Sequence, residues 1–497
     1  MIRSQSLKKS GIISILLATL GKFLSFATTL SIAYIFGANT QTDLIFYLYS
    51  MIILLSGFWT HFNSNILLPY LVKKFEENSA LAWQKCCALA TKVLISMILL
   101  IPILCVFYPQ ILGLVSRWSP ETIHSTYDFF LILILLLPIV YLNDLFCVVY
   151  QSQKHFTFTY LNSVCFGFTC LIFIYAFSNS WGEYSLALGM VTAGILQLII
   201  MFIIMLKSDL KFVLILKPID KEIFNWNLWI TSLLLFLSQF LLIFLPDYFA
   251  TGLQQGSFTS ILNGRKVVEI TTTLILFPVI LIFYPRMVQW HRDKNPGYKI
   301  QSLIRFLICL CVPLTCLMII LGPLFIKYVF NNGSYTTLNT YISQISLLTL
   351  TPGIFFITLF SLTTRWILSQ ESSQLLTQFC LSLIAATLVS WPIFSLLADS
   401  FQERGVLWSQ LIFQTLGYGG VSLFFLSKTK NFSLSVFFKD LCLSCVTYVP
   451  IPIVLYFTDH NKINILISVI TLVFIFLLKL KDFSIVINQL SSIDDAQ

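Results

Sequence analysis

The sequence predicts an all-α polytopic membrane protein of about fourteen transmembrane helices: two six-helix lobes in a parallel pseudo-repeat, then two extra C-terminal helices. Three observations carry that expectation. Of the 497 residues, 57% are hydrophobic and only 10% charged, against about 25% charged in soluble domains, and the mean hydropathy is +0.88. Apolar runs of the length a bilayer demands, about 20 residues at 1.5 Å each, recur from end to end. Lysines and arginines gather on alternate connecting segments.

The spans are expected near 11–37, 44–71, 87–112, 126–150, 157–178, 184–206, 225–250, 258–285, 301–326, 338–364, 374–398, 405–427, 438–457 and 463–478. Helix is the default because lipid offers backbone groups no other partner, and no alternating barrel pattern is present. The first run follows the basic "MIRSQSLKKSG", as a secretory signal would. It continues to about Gly37, too long for a signal core, and no small-residue cleavage site follows, so it reads as a retained helix.

Charge placement orients the spans. With the N-terminus in the cytoplasm, the outer segments hold Arg117, Lys327, Arg404 and Lys462, while Lys22, Lys92, Arg265 and Lys266 lie within spans; the other 22 of the 30 Lys and Arg fall on inner segments. That asymmetry is the positive-inside pattern, and it puts both termini in the cytoplasm with an even number of crossings. The net charge of +9 is thereby accounted for without nucleic acid.

The repeat rests on spacing. Pro138 in "LLLPIVYLNDLF" and Pro352 in "LLTLTPGIFFITLF" are 214 residues apart, and the same offset carries the starts of spans one and two onto spans seven and eight. An even number of spans per half makes the repeats parallel. The expected domains are residues 1–222 and 223–430 as six-helix lobes and 431–497 as a helix pair with a cytoplasmic tail. The hinge between the lobes is expected in "KSDLKFVLILKPIDKEIFN", 207–225. Prolines 138, 278, 313, 352 and 392 lie within spans and mark kinks.

The intramembrane charges are the candidate functional residues. Lys22 stands about 16 Å into its span, near the middle of a 30 Å core. A charge there costs roughly 2.5–3.5 kcal/mol and normally faces a bundle interior or wet cavity; pairing with a structural carboxylate, or deprotonation, is the plainer alternative. Arg265 and Lys266, in "ILNGRKVVEITTT", open the eighth span one to two turns below its outer boundary. Glu269 lies at i+4 from Arg265 on the same face, and a neutralised interfacial pair competes there with an anionic head-group site. Gly264 and Asn263 are expected to loosen the helix start. Among carboxylates, Asp43 follows "FGANTQT", Asp247 follows Pro246, and Asp144 in "YLNDLF" is the most intramembrane. Asp144 is the best ion-coupling candidate, with partnership to a buried cation as its alternative.

Other chemistries lack their motifs. No G-x-x-x-x-G-K-[ST], H-E-x-x-H or G-x-S-x-G occurs, so neither ATP hydrolysis nor a familiar hydrolase is expected. The twelve cysteines fall almost all in apolar spans as small fillers, Cys442-x-x-Cys445 has no second ligand pair, and the five histidines are scattered. No cofactor or metal is expected; a coupling ion is left unidentified.

Three stretches resemble the MurJ/MviN family of bacterial lipid II flippases. "TLGKFLSFATTLSIAYIFGANTQTDLIFYLY" carries its opening pattern in Phe36, Gly37, Ala38, Thr42 and Asp43. "NGRKVVEITTTLILFPVILIFYPRMVQ" is similar to the family's eighth span, closing at Pro285, and "FNNGSYTTLNT" to the loop before its tenth; the likeness continues through "RWILSQESS". The resemblance implies the multidrug/oligosaccharidyl-lipid/polysaccharide exporter fold, with a cation-lined cavity between two lobes and a lipid-accessible groove at the last two helices. By position, family arginines fall on Lys22 and Lys266, and acidic neighbours on Glu269 and Asp43. Further arginine positions fall on Thr28 and Ser56, and a glutamate position on His61.

The expected function is therefore that of a flippase in the bacterial inner membrane. It would move an anionic polyprenyl-pyrophosphate glycan of the lipid II type by alternating access, with Lys22, Arg265 and Lys266 on the phosphates. Asp43, Asp144, Glu269 and Asp247 would support the site or couple an ion. The rivals are another polysaccharide-lipid flippase, a multidrug antiporter with cavity carboxylates, a membrane enzyme acting on polyprenyl phosphates, and a non-transporting envelope scaffold.

Overall fold

A computed structural model describes residues 7–153, 155–206, 212–216, 226–290, 296–370, 372–457 and 462–491. Among these the regular structure is helical, without a strand. Eleven helices are long and apolar enough to cross a bilayer, or twelve when the pair Thr337–Leu350 and Gly353–Leu368 counts as one bent span.

The longest, Ser373–Ser427, has 55 residues; as a straight rod it would run about 80 Å, far beyond a 30 Å core. It is not straight. Gln402 has φ 51° and ψ −124°, and a Cβ built on Gly405 would collide with the Leu397 carbonyl. In a continuous helix residues 397 and 405 stand about 12 Å apart, so the chain doubles back here. Two spans result, as expected at 374–398 and 405–427. The last expected span is the apolar helix Ile463–Leu477, shorter than 18 residues, and a tally of fourteen requires counting it.

Prolines account for several interruptions, because each removes the N–H that would bond to the carbonyl four residues earlier. Pro352 stands at the 53° bend between Leu350 and Gly353. Pro138 follows the turn at residues 134–135, where helix Tyr127–Leu133 gives way to Leu136–Ser152. Pro278 follows the π-helical segment Thr272–Leu276, and Pro69 follows the π segment Asn63–Leu67.

Contacts divide the chain into two compact units. The first is Met1–Thr259 with Asn332–Thr336; the second is Ser260–Asn331 with Thr337–Gln497. The first unit takes in helix Trp226–Ala250, although the lobe boundary was expected at 222, and the second takes in the C-terminal helices expected as a separate pair. Of the connection 207–225, all but 212–216 lies outside the described residues. That short piece is docked on the first unit. The Phe212 ring lies 6.3 Å from Trp83 and 5.9 Å from Phe146, and the Ile215 N–H donates to Thr91 Oγ1 at 3.0 Å.

Candidate functional site

Lys22 sits on helix Leu7–Phe36, whose small residues decide which way it turns. A Cβ on Gly21 would stand 2.9 Å from Ser163 Cβ, and one on Gly167 would stand 2.8 Å from Leu24 Cβ. Thr28 Oγ1 donates to Leu24 O at 2.9 Å and Gly167 O at 3.3 Å, and Ser31 Oγ donates to Tyr175 Oη at 3.2 Å. Gly21, Leu24, Ser25, Thr28 and Ser31 thus form one seam against helix Phe156–Trp181. In a membrane such seams depend on small residues that let backbones approach. The signal, Gly21-x-x-x-Ser25 facing Ser163-x-x-x-Gly167, is present in the sequence.

At 100° per residue the helix has two other faces. Leu16, Leu20, Phe23 and Tyr34, 46–66% exposed, share the face a lipid would cover. Lys22 lies on neither: it stands about 120° from the centre of the seam and about as far from the exposed stripe. Its own face carries Thr29 and Ala33, each 2% exposed. Lys22 itself is half-buried. It therefore projects from a face distinct from both the seam and the apolar stripe; one turn to either side Thr19 and Ser25 are exposed, and the covered residues Thr29 and Ala33 lie further along. Thr28, at a family arginine position, is consumed by the seam. Ser56, at another, is buried and donates to Ile53 O at 2.8 Å; His61 is half-buried.

The second helix of interest, Ser257–Thr271, carries Arg265, Lys266 and Glu269. Lys266 is nine residues in, about 14 Å along the axis from the helix start. Gly264 does not loosen this helix. A Cβ there would meet Ser346 Cβ at 2.7 Å, while Ser343 Oγ donates to Ser260 O at 2.8 Å and Ser346 Oγ to Ile261 O at 2.9 Å. The glycine lets helix Thr337–Leu350 approach. Arg265 Nη2 donates to Gln410 Oε1 at 3.3 Å, a partner sequence spacing does not reveal. Lys266 lies on the side of the helix away from the Gly264 contact and is half-buried; Glu269 is exposed. Lys22 belongs to the first unit, and Arg265, Lys266 and Glu269 to the second.

The carboxylates have separate placements, all in the first unit. Asp43 Oδ2 accepts the Gly256 N–H and Oδ1 the Thr259 N–H, both at 2.7 Å. The carboxylate thus caps the first turn of the helix that goes on to bear Arg265 and Lys266. A negative charge there meets both orphan donors and the positive end of the helix dipole. Asp247 is 1% exposed, and Ser50 Oγ donates to its Oδ2 at 3.4 Å. Asp144 is half-buried and accepts a hydrogen bond from Thr60 Oγ1. Among the described residues no group of three or more His, Cys, Asp or Glu converges as a metal site.

Two of the quoted motifs meet in space. Gly37 ends the first helix at φ 73°, and a Cβ there would strike the Ser334 carbonyl. Ser334 N donates to Tyr34 O and Ser334 Oγ to Ile35 O, each at 2.9 Å. The "NNGSY" loop thereby serves the last carbonyls of the first helix. Asn39 then opens the next helix through a capping box with Thr42.

The family model described as "Lipid II flippase MurJ" matches residues 32–477. The chain belongs to the MurJ family. A curated relative, the "Probable lipid II flippase MurJ" of Borreliella burgdorferi, is 21% identical over 370 residues, covering 72% of this chain and 71% of the relative. Among solved structures, the inward closed conformation of lipid II flippase MurJ aligns with a TM-score of 0.78 at 17% identity, over 95% of this chain and 98% of that one. An inward-facing multidrug resistance MATE transporter aligns at 0.59 with 14% identity, over 86% and 98%. The chain thus has the MurJ fold and is a multi-pass membrane protein of that family.

Proposed function

We propose that this MurJ family member carries lipid II, or a closely similar polyprenyl-pyrophosphate glycan, across the bacterial inner membrane, acting as a transporter rather than an enzyme. Lys22 is the observation that carries the reading. A cation deep in an apolar span, on a face given over neither to lipid nor to the helix seam, has a use when an anion comes to it. Lysine serves there as a point charge toward phosphate. Lys266, within its own span, offers a second cation of the same kind, and Arg265 adds charge while tied to Gln410.

Desolvating the pyrophosphate head is the main barrier, and cations within the spans replace part of its hydration. The two lobes expose these cations alternately to either side, with both termini in the cytoplasm. A potential of 100 mV supplies about 2.3 kcal/mol for each charge moved across it. The chain keeps fewer cations than the family pattern, since Thr28 and Ser56 are engaged in packing and back-bonding. That favours, as a second reading, a lipid-linked glycan with a different head group.

The test is leaflet-resolved measurement of the lipid-linked precursor in cells that depend on this protein. Lys22→Ala is expected to lower translocation at least tenfold at equal protein level, with Lys22→Arg retaining it. Unchanged translocation in Lys22→Ala removes Lys22 from the mechanism.

A further inference from the structure

The transport reading rests on cations, yet the first unit holds a carboxylate that it leaves unused. Asp144, on helix Leu136–Ser152, is half-buried and is bonded by Thr60 Oγ1 from near the end of helix Thr40–Phe62. One turn beyond Thr60, Asn63 opens the π-helical segment Asn63–Leu67, which packs against helix Leu136–Ser152. Residues three apart share a broad helical side, so Asn63 follows Thr60 on the side of the chain that meets helix Leu136–Ser152; Thr60 is exposed and Asn63 buried. Asn63 is 1% exposed, and neither its Oδ1 nor its Nδ2 has a hydrogen-bond partner among the described residues.

The surroundings are aromatic. Trp59 stacks edge-on to Tyr141 at 5.5 Å, and Phe62 lies 4.6 Å from Trp229. In such walls a bare carboxylate and an unbonded amide are both costly. Native structures seldom leave a buried side-chain amide unserved without a reason, an unseen ion among them. Single-turn π segments also occur frequently at functional sites.

We propose that Asp144, Thr60 and Asn63 form a binding site for a monovalent metal cation of the sodium class. Carboxylate, hydroxyl and amide oxygens are hard ligands, suited to hard cations and not to soft metals. One carboxylate against one positive charge leaves the site neutral. A divalent ion would leave an uncompensated charge between aromatic walls. A proton would neutralise Asp144 without drawing the amide and hydroxyl oxygens onto a common centre. Other titratable groups flanking the site are His61, next to Thr60 in the chain, Tyr141, one turn before Asp144, and Cys147, one turn beyond it. That this ion drives transport rests on the function proposed above; the binding itself does not.

The experiment uses the full chain in lipid nanodiscs without lipid-linked substrate. Radioactive sodium binding and tryptophan fluorescence, for which Trp59 and Trp229 are reporters, are followed as sodium replaces choline at constant ionic strength and pH. Saturable binding of one sodium per chain is expected. Asp144→Asn and Asn63→Ala should each weaken it at least tenfold, and Thr60→Val by a smaller factor, in protein that remains monodisperse. If Asp144→Asn does not fold, Asn63→Ala and Thr60→Val carry the test. Equal signals in sodium and choline overturn the site, as does unchanged sodium affinity in the folded variants. A response that follows pH alone makes Asp144 a proton site and overturns the metal assignment. Sodium binding that persists beside absent lipid translocation refutes the transport reading and leaves this site standing.

Discussion

Asp43 Oδ1 accepts the backbone N–H of Thr259 at 2.7 Å across 216 positions of sequence. With the second bond to Gly256 N–H, one carboxylate holds the start of the helix that carries Lys266. Asp43→Ala strands two buried donors and is expected to destabilise the protein by about 2 kcal/mol or more. Asp43→Asn keeps one acceptor and should lose about 1 kcal/mol. Thermal unfolding in detergent should rank wild type above Asn above Ala; equal midpoints for all three would show that the cap contributes nothing.

The seam between helices Leu7–Phe36 and Phe156–Trp181 predicts a second ordering. Gly21→Ala and Gly167→Ala place a methyl carbon within 2.9 and 2.8 Å of facing side-chain carbons, an overpacking worth about 1–3 kcal/mol. Gly420→Ala meets nothing within 4 Å and is expected to be neutral or slightly stabilising, since alanine loses less backbone entropy than glycine. Comparing folded yield and thermal midpoint of the three variants checks the seam directly.

What could be read from the chain alone follows from how local each signal is. Span positions depend on runs of apolar residues, and the bend at Pro352 on one ring that cannot donate, so both were legible. The role of Asp43 was not, because its partners lie more than 200 residues away and a lone acid beside a turn reads equally well as an ion site. Gly264 looked like a helix loosener because no sequence pattern shows Ser343 and Ser346 facing it. The lysines came through as cations within spans, since charge in apolar sequence is conspicuous. Which face Lys22 occupies needed the neighbours of Gly21 and the exposed stripe of Leu16, Leu20 and Phe23.

The reversal at Gln402 gives a third prediction. A glutamine at φ 51° and ψ −124° occupies backbone space that suits glycine, at a strain of about 1–3 kcal/mol. Gln402→Gly relieves that strain but loses more chain entropy on folding, about 0.5–1 kcal/mol, so a net gain of about 1 kcal/mol is expected. Gly405→Ala drives a methyl into the Leu397 carbonyl and should act in the opposite sense. Chemical or thermal denaturation of the two variants should move the midpoint up and down respectively. A fall for Gln402→Gly would mean that the turn is not strained.

Arg265 and Lys266 are adjacent in sequence but lie on different sides of their helix, and substituting each in turn separates stability from transport. Arg265 gives a hydrogen bond to Gln410, which is 8% exposed; removing the guanidinium leaves a buried amide oxygen without that donor, at about 1–3 kcal/mol. Arg265→Ala should therefore lower the thermal midpoint. Lys266 points away from the Gly264 contact, and its proposed work is on the phosphates. A charge-assisted contact is worth about 1.5–3 kcal/mol, which converts to roughly ten- to a hundredfold in affinity. Lys266→Ala is thus expected to lower leaflet-resolved translocation by that factor with the midpoint little changed, and Lys266→Arg to restore most of it. If Lys266→Ala instead unfolds the protein while transport per folded molecule stays constant, the lysine is part of the scaffold and the phosphates are met elsewhere.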